Sequence, residues 1–175
     1  PGGKVLKNII DGGFAGDLYV NNPKETEVQG IKSYQKVSGL PQVELAIIAI
    51  AAKYTLDVVE ELAGNKGTKA FVILSAGYSE ESEEGRQLEE KVVEVINRAG
   101  GVLIGPNCTG ILTTSHHSIF TLPIPKLDPM GCDFASGSGA TACFIMEAGI
   151  PKGLTFANVI SVGNSAQTGV EDIVR

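Results

Sequence analysis

The sequence has few cysteines, no excess of positive charge and no long apolar run, and each shortage excludes a class of protein. Its three cysteines, Cys108, Cys132 and Cys143, are an odd number without a Cys-x-x-Cys pair, which argues against a disulfide framework and a zinc site. Fourteen basic residues against twenty acidic ones give a net charge of −6, and the basic residues form no stripe that could pair with a phosphate backbone. We therefore expect neither a metal site nor a nucleic-acid partner.

Features of membrane and exported proteins are also lacking. No apolar run reaches the roughly 18 residues that a helix needs to span a bilayer, and the N-terminus has no signal-peptide layout. Charge becomes scarce toward the C-terminus, because residues 100–175 hold 3 basic and 5 acidic side chains against 11 and 15 in residues 1–99. We expect a cytoplasmic protein without membrane contact, whose C-terminal part is buried or packed against another surface.

Glycine and apolar residues, by contrast, are abundant, with 22 glycines and 43% hydrophobic side chains in 175 residues. Continuous apolar runs over residues 44–50, 70–74 and 102–104 predict parallel strands that are covered on both faces. Segments 54–64 and 80–99, which lie between these runs, space their apolar side chains as helices do. This alternation predicts an α/β fold with an open parallel sheet and right-handed crossovers.

The remaining segments extend the pattern at both ends. Apolar residues before Gly12-Gly13 are spaced as in a helix that ends at these glycines, and short strands are predicted at residues 18–20 and 30–34. We expect residues 111–130 to be an irregular linker, because prolines are spaced through its second half. A second unit is then predicted, with strands at 131–135 and 154–162, a helix through Ala148 and a last helix from Thr168.

Ligands of open parallel sheets bind beyond the carboxyl ends of the strands. The predicted strand ends are Asn22-Pro23-Lys24, Ala51-Ala52-Lys53, Ser75-Ala76-Gly77 and Gly105–Gly110, the last containing Asn107 and Cys108. Small residues at three of these ends let a ligand approach the backbone, and Lys24 and Lys53 would place positive charge at the rim, which indicates an anionic, nucleotide-like ligand. A glycine-rich strand–helix turn can also serve packing alone, so both interpretations stay open.

Two helix starts are candidate anion sites. Gly2, Gly3 and Lys4 would offer backbone N–H groups and the helix dipole to a pyrophosphate. The loop Ser136-Gly137-Ser138-Gly139-Ala140-Thr141 directs two hydroxyls and two glycines to one helix N-terminus. It lacks the lysine of a P-loop, so the expected ligand is a phosphorylated side chain or an acyl phosphate. The alternative is a capped helix start that binds no ligand.

No catalytic residue is predicted. His116 and His117 are adjacent, so on an extended segment they point to opposite sides and cannot form a metal pair. A Cys108 nucleophile would need a base and a group that orients the base, and nothing in the sequence places either one. We expect the small side chain of Cys108 to line the crevice, and we expect Cys132 and Cys143 to be core residues.

Six segments carry a resemblance to a known family. They are, in chain order, Asn22-Pro23-Lys24, the strand end Ile50-Ala51-Ala52, Ile73–Glu80, Ile104–Gly110, Ser136–Thr141 and Ser161–Asn164. These segments resemble the α part of the NDP-forming acyl-CoA synthetases. The resemblance extends in order over essentially the whole chain. That group includes ADP-forming acetyl-CoA synthetase and is similar to succinyl-CoA synthetase.

The resemblance implies a fold, a cofactor and the roles of particular residues. Residues 1–125 would be a Rossmann-like CoA-binding domain that lacks its first strand, and residues 126–175 the start of a flavodoxin-like domain. The implied cofactor is CoA. Gly2, Gly3 and Lys4 would lie near its phosphates, Asn22, Pro23 and Lys24 at its nucleotide end, Ala51–Lys53 and Ser75–Gly77 along the pantetheine arm, and Asn107 and Cys108 near its thiol. The Ser136–Thr141 helix start would hold the phosphate of a phosphohistidine intermediate.

The implied activity is that of an acid–CoA ligase working through acyl phosphate and phosphohistidine. Neither His116 nor His117 occupies the place of the family's phosphorylated histidine, so we expect this chain alone to be inactive. The implied partners are CoA or acyl-CoA and an ATP-grasp subunit or fused domain, in an oligomeric full-length enzyme. An NAD(P)-dependent oxidoreductase is one alternative, although residues 21–24 lack the acidic side chain that would hold the ribose. A non-catalytic CoA-binding module is another.

Overall fold

The structure, a computed structural model, describes residues 1–121 and 124–175. The helices of this part are α1 (Gly2–Asp11), α2 (Thr55–Asn65), α3 (Glu83–Arg98), α4 (Gly139–Gly149) and α5 (Val170–Ile173). The strands are β1 (Val20–Asn21), β2 (Glu27–Val28), β3 (Ile31–Tyr34), β4 (Leu45–Ile48), β5 (Ala70–Ile73), β6 (Val102–Ile104), β7 (Gly110–Thr113), β8 (His116–Ile119), β9 (Cys132–Ser136) and β10 (Phe156–Ser161). None of the described helices is long and apolar enough to cross a membrane.

Strands β4, β5 and β6 form a parallel sheet in that order, as the three apolar runs predict. Phe71, Val72 and Ile73 on β5 are all buried, because this central strand is covered on both faces. One core under the sheet joins Phe71 and Ile73 to Val59 of α2 and Ile96 of α3. The predicted α/β class with a parallel sheet is confirmed.

Helix α3 begins three residues later than the apolar spacing predicts. Ser82 is its N-cap and accepts a hydrogen bond from the Gly85 N–H at 3.0 Å. The residues before it form a turn instead, in which the Glu80 carboxylate accepts from the Gly77 N–H at 2.6 Å. This turn keeps Glu80 at the end of the parallel sheet rather than on the helix.

A second small sheet has the order β1-β3-β2. Strand β1 runs parallel to β3, while β2 and β3 are antiparallel and joined through Gln29 and Gly30. Gln29 has φ 53° and Gly30 has φ 82°, the left-handed backbone that a two-residue hairpin turn requires. Strand β2 is not predicted by the sequence, because two residues carry no periodic signal.

The expectation of an irregular linker over residues 111–130 is wrong for its first part. Strands β7 and β8 form an antiparallel hairpin in which Leu112 faces His117 and Thr113 faces His116. Leu112, Ser118 and Ile119 are buried, since the hairpin lies against other elements on its apolar side. The prolines lie only after the hairpin, and Pro123 falls outside the described residues.

The hairpin belongs to a mixed sheet of order β8-β7-β10-β9. Strand β10 is antiparallel to β7 and parallel to β9, so the sheet joins strands from both sides of the predicted domain boundary at residue 125. That boundary stays a prediction. Met146 of α4 packs with Leu112, Phe156 and Val159 in the core of this sheet, and Asn8 of α1 donates to the Ile119 carbonyl of β8 at 2.6 Å.

Candidate functional site

The predicted loops after β4 and β5 lie side by side at the carboxyl end of the parallel sheet. The Ser75 hydroxyl donates a hydrogen bond to the Ile50 carbonyl. A Cβ added to Gly77 would lie 3.2 Å from the Cβ of Ala52, and the φ of Gly77 is +105°. Ala51 and Lys53 are exposed beside this contact. The structure therefore brings two of the predicted ligand loops together, and glycine is needed where they meet.

The start of α1 lies near the end of β4. A Cβ added to Gly2 would lie 3.3 Å from the Cβ of Ala49, and the Gly3 carbonyl accepts from the Gln29 side chain at 2.7 Å. Lys4 is exposed on the first turn. Pro1 precedes the helix and makes no side-chain cap hydrogen bond, so this helix start leaves its first N–H groups to be satisfied by water or a ligand.

The loop after β1 is a compact turn. The side-chain oxygen of Asn22 accepts from the Lys24 N–H at 3.0 Å, which is an Asx turn, and the Asn22 N–H donates to the Tyr34 carbonyl at 3.0 Å. Pro23 and Lys24 are exposed at its tip. A positive charge is therefore presented to solvent next to the small sheet.

The loop after β6 is held against β5 by its own backbone. Asn107, at φ 56°, donates its N–H to the Ser75 carbonyl at 2.9 Å. The Cys108 thiol donates to the Ile73 carbonyl at 3.3 Å and is buried. Burial raises the pKa of Cys108 to about 12, so this thiol stays protonated at neutral pH and is no nucleophile.

The start of α4 is a capped helix N-terminus. The Ser138 hydroxyl accepts from the Thr141 N–H at 3.2 Å, and the Ser136 hydroxyl accepts from the Ser138 N–H at 3.1 Å. A Cβ at Gly139 would overlap the side-chain methyl of Thr109. Glycine is therefore required for α4 to begin this close to the loop that carries Cys108.

These last two loops line one cleft of about 340 Å³. Its lining residues are Leu74, Asn107, Cys108, Thr109, Phe120, Gly137, Ser138, Gly139 and Ala140. The structure thus brings together Asn107, Cys108 and the helix start, which the sequence places about 30 residues apart. The predicted loops at residues 2–4, 22–24, 51–53 and 75–77 do not line this cleft, and their roles stay predictions.

A polar cluster next to the cleft has no counterpart in the sequence-based prediction. The Asn164 side chain joins Ser79, Glu80 and Glu89 to Asn107 through hydrogen bonds. Partial burial acts to raise the pKa of Glu80, but hydrogen bonds from Asn164 and from the Gly77 N–H outweigh burial and lower it. The segment 161–164 contributes to the family resemblance, yet only the folded chain shows which groups Asn164 contacts.

The two histidines lie outside the cleft, on β8. The His116 ring packs edge-on against Phe14 with ring centroids 5.4 Å apart, and its Nε2 is buried with no hydrogen bond to the described residues. Burial first, and then the charge of neighbouring His117, lower the pKa of His116. Among the described residues, no group of three or more His, Cys, Asp or Glu could hold a metal ion.

Comparison with known sequences places these features in a family. The family model described as a CoA binding domain matches residues 1–114. The acetate–CoA ligase (ADP-forming) II subunit alpha of Pyrococcus furiosus is 37% identical over 175 residues, covering 99% of this chain and 38% of that protein. The trans-feruloyl-CoA synthase FCS1 of an unknown prokaryotic organism is 36% identical over 180 residues, covering 99% of this chain and 25% of that protein. The chain therefore spans well under half the length of these relatives.

Comparison with solved structures agrees. The apo form of dinucleotide forming acetyl-coenzyme A synthetase 1 of Ca. Korarchaeum cryptofilum matches with a TM-score of 0.88 and 29% identity, over 98% of this chain and 37% of that chain. These matches confirm the resemblance drawn from the six segments, the α/β fold class and CoA as the cofactor of the family. The roles of individual residues stay predictions.

Proposed function

We propose, on the ground that this chain belongs to the family of CoA binding domains, that it is the CoA-binding portion of an acid–CoA ligase of the NDP-forming type. Such a ligase interconverts acyl-CoA, phosphate and NDP with acid, CoA and NTP. Two of the most similar relatives are named as an ADP-forming ligase subunit and a CoA synthase. One observation carries the proposal: the Asn107–Cys108 turn and the start of α4 line the same cleft.

In this proposal the strand-end loops hold CoA. Lys24 and Lys4 are exposed cations on two of those loops, suited to the phosphates at the nucleotide end. Ala52 and Gly77 lie in contact and present small side chains along the sheet edge, where a pantetheine arm could pass close to the backbone. CoA supplies the thiol that accepts the acyl group, and the protonated Cys108 thiol stays out of that chemistry.

The start of α4 would hold a phosphoryl group. The first N–H groups of a helix have no partner within the helix, and its dipole favours an anion there. Ser138 satisfies the Thr141 N–H, and the next two residues after Ser138, Gly139 and Ala140, line the cleft. Donors that are already oriented stabilise a phosphoryl anion without reorganisation, which suits a loop that lacks a P-loop lysine.

The remaining parts of the reaction would come from outside these 175 residues. His116 and His117 lie outside the cleft, so the phosphohistidine is proposed to belong to another segment, and the nucleotide to an ATP-grasp subunit or fused domain. Assembly into an oligomer and a cytoplasmic location are part of the same proposal, and free thiols at Cys108, Cys132 and Cys143 agree with a reducing compartment.

Calorimetric titration of the full-length protein with CoA and with NADH tests this proposal. We expect CoA to bind and NADH not to bind. Lys24→Ala should raise the Kd for CoA about three- to tenfold through loss of one charge-assisted contact, whereas Lys91→Ala on the exposed face of α3 should leave it unchanged.

A preference for NADH would instead support the oxidoreductase alternative. CoA binding by a full-length protein that forms no acyl-CoA from acid, CoA and ATP or GTP would support the non-catalytic module. Equal effects of the two lysine substitutions would contradict the place proposed for Lys24.

A further inference from the structure

The amide of Asn164 is the centre of a hydrogen-bond network beside the cleft. Its Nδ2 lies within hydrogen-bond distance of three acceptors that share its two N–H groups: the Glu89 carboxylate on α3 at 2.8 Å, the Ser79 hydroxyl at 3.2 Å and the Glu80 carboxylate. Its Oδ1 accepts from Nδ2 of Asn107 at 3.3 Å. One side chain in the loop after β10 therefore joins the loops after β5 and β6 to helix α3.

The acceptors around Asn164 determine which end of its amide faces them. Ionised carboxylates can only accept hydrogen bonds, and the Glu80 carboxylate already accepts the backbone N–H groups of Gly77 and Tyr78, which favour its ionised form. The Ser79 hydroxyl donates a hydrogen bond to the Glu89 carboxylate at 2.9 Å, which leaves the Ser79 oxygen as an acceptor for Asn164. Only the NH₂ end of Asn164 fits against three acceptors, so its oxygen must face Asn107.

The same reasoning then applies to Asn107. It meets an amide oxygen, which only accepts, and so must turn its own NH₂ end toward Asn164. Its Oδ1 is left on the other side and makes no hydrogen bond to the described part of the chain. Asn107 is exposed and lines the cleft, next to Cys108 and opposite the start of α4.

We propose that Asn107 presents its amide oxygen to the cleft and so selects a hydrogen-bond donor on the ligand, and that Asn164 is the positioning residue that fixes this orientation. An acceptor at this point repels phosphoryl oxygens, which are acceptors too, and leaves them to the N–H groups of α4. The selected donor is an N–H, O–H or S–H group. All three occur on the pantetheine arm of CoA, and to that extent the inference rests on the proposed function.

Asn107→Gly tests the acceptor itself. Glycine adopts φ 56° without strain, so the change removes the amide and keeps the turn. In the full-length protein we expect the Kd for CoA to rise about three- to tenfold, the usual net value of one hydrogen bond. Desulfo-CoA tests the thiol as the donor: an undiminished effect of the substitution indicates an N–H or O–H of the pantetheine arm, and a lost effect indicates the S–H. No effect of Asn107→Gly on CoA binding would overturn the proposal.

Asn164→Asp tests the positioning role, because it keeps the shape and replaces the donor by a carboxylate. At about pH 8 this carboxylate faces Glu80 and Glu89, and repulsion should turn it away and release Asn107, raising the Kd for CoA about fivefold. Two neighbouring carboxylates raise a carboxyl pKa, so near pH ~5.5 the introduced carboxyl group should be protonated. Its single O–H can then donate to one of the carboxylates, which removes the repulsion and should bring the Kd back toward the wild-type value. Each Kd is compared with that of the wild-type protein at the same pH, because the phosphate monoester of CoA also titrates over this range.

Asn158→Asp is the matched control. Asn158 donates to the Asp133 carboxylate at 2.6 Å on the edge pair β9–β10, so the control also places a new carboxylate against an existing one, at a residue that does not line the cleft. It should leave the Kd for CoA unchanged at both pH values. If Asn164→Asp does not fold at about pH 8, Asn164→Ala is used in its place. We expect Asn164→Ala to raise the Kd for CoA by the same factor, and we expect lowering the pH not to reverse this rise.

The double variant Asn107→Gly, Asn164→Asp separates positioning from general structure. If Asn164 acts on the ligand through Asn107, the double variant binds CoA as Asn107→Gly does at both pH values. An additional loss of affinity in the double variant, or wild-type binding by Asn164→Asp at both pH values, overturns the inference while the proposed function stands. Failure of the wild-type protein to bind CoA overturns both.

Discussion

Helices α3 and α4 both begin at a serine N-cap, yet their polar and apolar side chains are distributed differently. On α3, Arg86 pairs with Glu83 and Glu90 in solvent while Val92 and Ile96 face the core. Helix α4 is apolar around most of its circumference and leaves Phe144 69% exposed. An amphipathic helix such as α3 needs one covered face, whereas a helix that is apolar all round is typical of a buried position.

The difference extends to the two helix starts. Gly85 in the first turn of α3 lies against the backbone carbonyl of Tyr78, and Gly139 at the start of α4 lies against the side-chain methyl of Thr109. The first contact closes the core of the parallel sheet, and the second forms a wall of the cleft. The same requirement for glycine therefore serves packing in one region and the candidate site in the other.

The largest effect is expected for Gly85→Ala. The new methyl would overlap the Tyr78 carbonyl, and a backbone atom next to the buried Tyr78 ring has little room to move. We expect a loss of about 3 kcal/mol in the free energy of unfolding, the upper end of what overpacking costs, measured by urea denaturation. Gly64→Ala on α2 has open space around it and should instead add up to about 1 kcal/mol. Equal effects of the two substitutions would show that the contact is not rigid.

Gly139→Ala should have a smaller effect on stability, about 1 to 2 kcal/mol, because the obstacle is the side-chain methyl of Thr109, which can shift more easily than backbone. Thr109→Ser deletes that methyl and keeps the hydroxyl, so the pair Gly139→Ala, Thr109→Ser should recover most of the loss in urea denaturation. No comparable rescue exists for Gly85→Ala, whose obstacle is backbone. A failure of Thr109→Ser to restore stability would remove this distinction between the two helix starts.

The smallest expected effect is the loss in the free energy of unfolding on acidification. As the pH falls, this loss should begin in the mixed sheet that packs against α4. The pKa of His116 is depressed in the folded chain by burial, so its contribution is fully present above the unfolded pKa of about 6.5 and is lost as pH falls through the folded value. His116→Gln should therefore reduce the loss of stability between about pH 7.5 and about pH 5.5, measured by urea denaturation at each pH. His117→Gln is the control, and an equal effect of His117→Gln would contradict this assignment.

The carboxylates beside α3 respond to acid in a lower range. The pKa of Glu80 is lowered in the folded state, so its contribution is present above its ordinary value and is lost only as pH falls through the depressed one. Mild acid thus separates the two regions, since it protonates the hairpin histidine before the Asn164 network loses its acceptors.

Local sequence patterns were sufficient for most elements of the fold. The apolar run at residues 70–74 predicts β5 because a strand covered on both faces needs no polar alternation. The hairpin β7–β8 was missed because it mixes threonine, serine and histidine, and because the prolines after residue 122 dominated the pattern. Ser118 is buried there through pairing and packing, which composition does not record.

By itself, the sequence determined the α/β class, the order of strand-end loops and the serine-capped start of α4, because each depends on residues close together in the chain. Only the tertiary structure decided that Asn107 meets Asn164, 57 positions away, and that Gly139 rests on Thr109. Those contacts arise where separate loops converge at the carboxyl ends of strands. The direction of each amide there depends on the charges that surround it in space.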